Sequence, residues 1–185
     1  MKISFLRSFR WTIIILYLLF IYSTLAVVPA IWNRFNDLLG GRGVILQYII
    51  YAATWTGFLL YIFLVRKERS IARITLLLLF TGIYFLIIKF AKYPAEKTHI
   101  AEYGLLGILL YNALRIDFSK FDKRLYLYAA IACLIAGTID ELIQWVLPNR
   151  YFAWTDIFIN FLSGVMILLI IRFNVLKSEG TALKA

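Results

Sequence analysis

Apolar residues are grouped in long runs along this chain, and few polar residues separate them. An α-helix needs about 20 mostly apolar residues to cross a bilayer. About six segments approach that length, at residues 11–28, 44–65, 74–90, 100–114, 125–147 and 157–173. Lipid offers no hydrogen-bond partner to the backbone, and the chain lacks the period-two alternation of a barrel strand. The pattern therefore predicts an all-α, polytopic transmembrane helical bundle with about six spans.

Composition and charge agree with a membrane protein whose main partner is the lipid bilayer. The chain is 63% hydrophobic and has a mean hydropathy of +0.83, which excludes an ordinary soluble globule. The net charge is +10, but the basic residues lie between the spans rather than on one folded face, so we expect no nucleic-acid role. Most of them fall near the two termini and in residues 66–73 and 115–124. The positive-inside rule then predicts that both termini are cytoplasmic.

The chain divides into three regions with short connections. Residues 1–93 hold about three N-terminal spans, residues 94–173 hold the other three, and residues 174–185 form a cytoplasmic tail. The first span follows a basic segment as a signal peptide would, but it is too long for one, so we expect a retained helix. Residues 33–43 read as a polar, glycine-rich turn. The single Cys133 lies inside a span and is expected to pack as a small apolar residue.

Polar side chains near the apolar runs of the second half are the best pointer to function, because such groups are costly beside lipid. They are Glu96, His99, Glu102, Tyr103, Asp140, Glu141, Gln144, Arg150, Asp156 and Asn160. Residues three or four apart share a helix face, so three helices can direct these groups into one outward-opening pocket. Asp140 and Glu141 point about 100° apart, so they are not expected to face the same partner helix. Ser163 and Gly164 are small, which predicts close helix contact.

Two motifs resemble the VanZ-like family of bacterial integral membrane proteins. The first is E-K-x-H-x-x-E-Y-G, from Glu96 to Gly104, and the second begins with D-E-x-x-Q at Asp140. The second continues with P-x-R and D-x-x-x-N-x-x-x-G, which end at Arg150 and Gly164. Family members often have Asp where Glu96 stands and Gly where Asn149 stands. The resemblance covers roughly residues 94–173 and marks Glu96, His99, Tyr103, Glu141, Gln144, Arg150, Asp156 and Asn160.

The resemblance implies a role in the bacterial envelope, since the family is named for a protein associated with resistance to teicoplanin-type glycopeptides. We therefore expect a multi-pass protein of the bacterial cytoplasmic (inner) membrane. The leading hypothesis is that the pocket binds an extracytoplasmic small molecule or lipid-linked ligand. Candidates are a glycopeptide antibiotic, a cell-wall precursor and a lipid head group. Arg150 would pair with an anionic group, and Glu141, Gln144, Asp156 and Asn160 would supply hydrogen bonds.

Other interpretations of the same residues stay open. An enzyme acting on lipid-linked envelope substrates would use His99, Glu141 and Asp156 as catalytic groups. No cofactor is identified, although His99, Glu141 and Asp156 could also hold Zn²⁺ or Mn²⁺. Arg150 could instead pair with Asp156 or Glu141 in a structural network, and the protein would then be a scaffold for other membrane proteins. A transporter is disfavoured because spans one to three lack polar interior positions. Thr155 is the expected N-cap of the last span.

Overall fold

The computed structural model describes residues 2–65, 67, 69–90, 96–148 and 150–175, with the backbone alone at positions 2, 90, 96, 174 and 175. These residues form seven α-helices and no strand. The helices are α1 Lys2–Thr24, α2 Val28–Leu38, α3 Gly43–Leu60, α4 Ile71–Phe90, α5 Glu96–Leu114, α6 Lys123–Val146 and α7 Trp154–Ile170. A π-helical turn continues α3 over Tyr61–Val65 and α7 over Ile171–Val175. The all-α prediction is confirmed.

Within the described residues, five helical segments are long and apolar enough to cross a membrane, which makes this a multi-pass membrane protein. They are Ile3–Thr24, Gly43–Val65, Ile71–Lys89, Lys123–Val146 and Trp154–Phe173. Helix α5 is not among them, because its first turns are polar. In the most apolar stretch of α7, 56% of the residues are buried inside the protein, against 6% in α1 and in α3. Helix α7 is therefore central, and large apolar side chains of α1 and α3 face outward toward lipid.

The connection after α1 differs from the turn that the sequence predicted. Residues 33–43 were expected to form a polar turn, but a helix runs through Val28–Leu38, with Pro29 in its first turn where proline costs no hydrogen bond. The chain then reverses at Gly40 and Gly41, which both have positive φ. Gly43 begins α3 by donating its N–H to Asn36 Oδ1 at 3.0 Å. The reversal is thus fixed by two glycines and one side-chain cap.

Small residues bring α5, α6 and α7 into close contact. A Cβ added at Gly107 of α5 would lie 2.9 Å from the carbonyl oxygen of Gly164 in α7. A Cβ added at Gly164 would lie 2.5 Å from Cys133 Sγ in α6, and Cys133 itself is fully buried. The expectations that Gly164 permits close helix contact and that Cys133 packs as a small core residue are confirmed. This three-helix seam supports the polar groups above it.

Most of the basic residues of the described chain lie at the end of the bundle opposite to the polar cluster. Arg7 of α1 pairs with Asp117, and Arg10 donates to the carbonyl oxygen of Asn112. Asp122 caps α6 by accepting from the N–H of Arg124 at 2.9 Å, and the bonds from Arg124 lower the pKa of the Asp122 carboxyl. We call this the basic end. The other end, where α5 and α7 begin and α1 and α6 finish, is the site end.

Candidate functional site

Asp140 is the deepest charged group of the site end. It lies in the last third of α6, where its side chain is fully buried. Its Oδ2 accepts from Asn160 Nδ2 of α7 at 3.3 Å and more weakly from Gln144 Nε2 at 3.4 Å. Its Oδ2 also lies 3.5 Å from His99 Nδ1 of α5. Asp140 therefore joins the three central helices through one oxygen, as the sequence analysis expected of this region.

Glu141 is also fully buried, and it ties the start of α7 to α6. Its Oε2 accepts from the backbone N–H of Ala153 at 2.9 Å, and its Oε1 accepts from Gln144 Nε2 at 2.7 Å. Ala153 is the N-cap residue of α7, so the expectation that Thr155 occupies this position is wrong. A carboxylate near a helix N-terminus is favourable because the first amides carry partial positive charge. Both Glu141 oxygens are thus engaged, one with the start of α7 and the other within α6.

The neighbouring acids Asp140 and Glu141 reach the same partner helix, contrary to the expectation from their 100° separation. Asp140 contacts Asn160, a turn and a half into α7, whereas Glu141 contacts Ala153 at its beginning. The two contacts are compatible because the start of α7 passes beside α6 at two different heights. Helical spacing gave the direction of each side chain correctly, but it did not give the path of the neighbouring helix.

Arg150 and Gln144 extend the network toward the mouth of the site. The Arg150 guanidinium donates to Gln144 Oε1. A guanidinium has five N–H donors, so most of this group remains able to bind an anion. Arg150 is half-buried, and it follows the turn in which Leu147 N donates to Gln144 O at 3.1 Å. Arg150 therefore lies at the surface of the network, and Gln144 binds its guanidinium.

His99 faces two carboxylates from the first turns of α5. Its Nδ1 lies 3.2 Å from Glu102 Oε2 and 3.5 Å from Asp140 Oδ2. Both distances are within ion-pair range, but neither acceptor is aligned for a hydrogen bond, and Nδ1 lacks a partner among the described residues. The ring is almost fully enclosed, whereas Glu102 is partly exposed. His99 thus connects a buried acid to one that reaches the surface.

Tyr103 and Asp156 occupy positions that are more structural than the sequence suggested. Tyr103 is fully buried, and its hydroxyl donates to the carbonyl oxygen of Ala136 at 3.1 Å. Asp156 is buried in the first turn of α7, where its Oδ1 lies 3.3 Å from Thr155 Oγ1. The side chain of Glu96 lies outside the described residues. The other predicted site residues all come together at the site end.

A small cavity opens beside this network. Three predicted site residues line it, His99, Glu102 and Arg150, together with the end of α1 and the start of α2. Its volume is about 10 Å³, which is room for about one water molecule. In the network next to His99, Asp140 Oδ1 and Asn160 Oδ1 are buried polar atoms without a hydrogen-bond partner in the described part of the chain. Buried polar atoms without a partner are uncommon in native proteins.

A metal centre finds little support in this geometry. Across residues 2–65, 67, 69–90, 96–148 and 150–175, no three His, Cys, Asp or Glu side chains are arranged to hold an ion. His99 approaches Glu102 and Asp140 rather than Glu141, whose oxygens both bind protein groups. The donor set that the sequence analysis considered for Zn²⁺ or Mn²⁺ is therefore not assembled.

Helices α1 and α3 contribute polar side chains to the site end, which the sequence pattern did not predict. Tyr22 of α1 donates to the Ala136 carbonyl oxygen at 2.9 Å, and Tyr17 donates to the carbonyl oxygen of Glu102 at 2.9 Å. In α3, Gln47 is buried and its Nε2 donates to Tyr51 Oη at 3.3 Å. The expectation that spans one to three lack polar interior positions is therefore wrong. Tyrosines are common at membrane surfaces as anchors, so those of α1 and α3 give no clear sequence signal for a buried contact.

Comparison with known proteins adds no relative to this description. No protein-family model, no curated protein and no solved structure matches the chain.

Proposed function

We propose that this chain is a VanZ-like protein of the bacterial cytoplasmic membrane, with six spans and both termini in the cytoplasm. Helix α5 has 19 residues, which at 1.5 Å per residue is close to the thickness of the hydrocarbon core. Its polar first turns are covered by α1, α6 and α7 rather than by lipid. The arginines of the basic end then face the cytoplasm, in keeping with the positive-inside rule. The site end faces outward.

Helix α2 fits the membrane–water boundary in this arrangement. Its apolar residues Ile31, Phe35 and Leu38 are exposed and recur at three- or four-residue intervals, and none of its residues is buried. Its polar residues, such as Arg34 and Asp37, lie between them. Amphipathic helices of this kind lie in the headgroup plane with the apolar face toward the acyl chains. Helix α2 would thus mark the outer surface close to the cavity.

The function that the geometry supports best is binding of an extracytoplasmic ligand at the site end. The observation that carries this proposal is the cavity lined by His99, Glu102 and Arg150, next to oxygens of Asp140 and Asn160 that have no hydrogen-bond partner among the described residues. Intramembrane ionisable groups are expensive and usually mark a functional site. Most buried acceptors in native proteins have a hydrogen-bond partner, so the two unpaired oxygens support this proposal.

The chemistry of the cavity narrows the class of ligand. Arg150 can bind a carboxylate or phosphate, while Glu102 can accept from a hydroxyl or ammonium group. A glycopeptide antibiotic, a cell-wall precursor and a lipid head group all carry such groups. Because the cavity has room for about one water molecule, only one small polar group of the ligand would enter it. The remainder would stay at the surface, against α2 and the turn after α6.

Substitution of residues that line the cavity tests this function. We expect Arg150→Ala and Glu102→Gln to change susceptibility to teicoplanin-type glycopeptides by fourfold or more in cells that carry equal amounts of each protein. Arg34→Ala is the matched control, because Arg34 is an exposed arginine at the same end and does not line the cavity. If both cavity variants behave like Arg34→Ala, the binding proposal fails and a scaffold role is favoured.

A membrane-embedded hydrolase or transferase has less support. That alternative uses His99 and Glu141 as acid and base, but the Glu141 oxygens accept from Ala153 N and Gln144 Nε2. The acids that lie near His99 are Glu102 and Asp140. Turnover of a lipid-linked substrate that is lost in His99→Ala, with folding retained, would revive it.

A further inference from the structure

Lys97 is a buried cation that the proposed pocket does not use. It lies in the first turn of α5 and is 7% exposed. His99 is two residues further along the helix, so the two side chains point about 200° apart. His99 faces α6, whereas Lys97 faces α3. Lys97 therefore belongs to a different surface of the bundle at the same end.

Among the described residues, the partners of Lys97 come from the first three turns of α3. Lys97 Nζ donates to Tyr48 Oη at 2.7 Å and lies 4.7 Å from the centre of the Tyr48 ring. The carbonyl oxygen of Lys97 accepts from Tyr51 Oη at 2.7 Å, and Tyr51 Oη accepts from Gln47 Nε2 at 3.3 Å. We call Gln47, Tyr48, Tyr51 and Lys97 the lysine cluster. Its members fix the ammonium group from one side.

The lysine cluster contains a positive charge without a negative one. No carboxylate of the described chain lies within ion-pair distance of Lys97 Nζ. An ammonium group has three N–H donors, and one of them is used on Tyr48. Burial of a charge is unfavourable unless a counter-charge is near, and one aromatic face offsets only part of that cost. The cluster is therefore incomplete as a purely structural unit.

The seam around the lysine cluster opens toward lipid at headgroup depth. Tyr48 is 44% exposed, and its neighbours Ile45 and Ile49 are exposed apolar residues of α3. Helices α3 and α5 both begin at the site end, at Gly43 and Glu96, so the cluster lies within about two turns of that surface. A lipid phosphate would reach this depth, with its acyl chains against Ile45 and Ile49.

We propose that Lys97 and Tyr48 form a binding site for a phosphate ester, supplied by an anionic phospholipid of the outer leaflet. The Lys97 ammonium pairs with a phosphate oxygen through its remaining N–H groups. The Tyr48 ring supports the ammonium, and Tyr51 and Gln47 hold the backbone of α5 in place. The site is separate from the cavity beside Arg150, and it fixes the protein to its lipid rather than to an extracytoplasmic ligand.

Native mass spectrometry of the purified full chain tests the site. The protein is released from detergent in an equimolar mixture of phosphatidylglycerol and phosphatidylcholine, and retained lipid is measured. We expect phosphatidylglycerol to be retained at least tenfold more strongly, and Lys97→Met to lose about tenfold of that affinity. Lys97→Arg should keep most of it. Lys89→Met is the matched control, because Lys89 is an exposed lysine at the same end of α4 and should change nothing.

A second variant and a competitor complete the test. Tyr48→Phe keeps the ring and removes the hydroxyl, so it should weaken phosphatidylglycerol binding by two- to threefold even if Lys97→Met fails to fold. Competition by millimolar inorganic phosphate would overturn the lipid as the source and assign the site to free phosphate. Unchanged lipid retention in both Lys97→Met and Tyr48→Phe would overturn the site itself. The proposed pocket is tested separately through the glycopeptide susceptibility of Arg150→Ala and Glu102→Gln, so failure here is distinguishable from failure of that pocket.

Discussion

Gln144 shows how one neutral side chain keeps two acids buried in this protein. Its amide nitrogen donates to Glu141 at 2.7 Å and lies 3.4 Å from Asp140, while its oxygen accepts from Arg150. All three charged neighbours therefore depend on the same amide. A buried polar group that loses its partner costs about 1–3 kcal/mol, and more if it is charged. Gln144 is thus the residue whose loss would be felt most widely at the site end.

We expect Gln144→Ala to lower the free energy of unfolding by about 2–4 kcal/mol, because buried Glu141 Oε1 and the half-buried Arg150 guanidinium lose a hydrogen-bond partner. Thermal unfolding of the purified protein in detergent measures the effect. Leu142→Ala is the control on the same helix, since Leu142 is 46% exposed to lipid and should cost much less. Equal losses in the two variants would contradict the network described for Gln144.

The identities of the site residues could be predicted at this scale, but their pairing could not. His99, Asp140, Gln144 and Asn160 stood out because polar residues are rare in apolar helices, and the structure brings them together. The hydrogen bond from Ala153 N to Glu141 could not be predicted, because a backbone N–H does not depend on which residue type carries it. The sequence pattern therefore predicted which acids lie at the site, but it did not predict the backbone N–H that binds Glu141.

Among the helices, the close packing of α7 could be predicted from the sequence, whereas the presence of α2 was not predicted. The close contact of α7 with its neighbours was predicted from Ser163 and Gly164 and is found. Residues 33–43 were predicted to form a turn, because the asparagines and Asp37 lower the hydropathy of α2 below that of a membrane span. Its apolar residues do recur with helical spacing. A short amphipathic helix of this kind cannot be predicted from the length of apolar runs alone.

Gly164 offers a test of the seam between α6 and α7. A Cβ there would lie 2.5 Å from Cys133 Sγ, so Gly164→Ala should destabilise the protein by about 1–3 kcal/mol through overpacking. Gly82→Ala is the control, since nothing lies within 4 Å of a Cβ at Gly82 and alanine favours a helix. Thermal unfolding compares them. Cys133→Ala should rescue part of the loss, and a Gly164→Ala variant as stable as Gly82→Ala would contradict the seam.

For the whole molecule, the two ends of the bundle are chemically different. Arginines bind carbonyl oxygens and Asp117 at the basic end, while buried acids and His99 occupy the site end. The charge pattern predicted this division, because loop charges are visible in the sequence. The role of α1 was not visible: Tyr17 and Tyr22 bind carbonyl oxygens of α5 and α6, and tyrosines of this kind look the same as surface anchors.

Labelling of single cysteines tests the proposed six-span orientation. In a Cys133→Ala background, Asp37→Cys and Tyr151→Cys should react with a membrane-impermeant thiol reagent on intact cells. Ser119→Cys should react only after the membrane is opened, because it lies at the basic end between α5 and α6. Ser119 decides whether α5 crosses. Labelling of Ser119→Cys on intact cells, at the rate of Asp37→Cys, would reduce the spans to five.

The hydrogen bond between Glu141 and the N-cap amide of α7 constrains which insertions and deletions this chain can accept during evolution. The connection across residues 147–153 must return the chain to a fixed point beside α6, since Ala153 N lies 2.9 Å from Glu141 Oε2. An inserted or deleted residue there would release a buried carboxylate. We infer that homologous chains vary in length at the glycine-rich link between α2 and α3, and keep this connection constant.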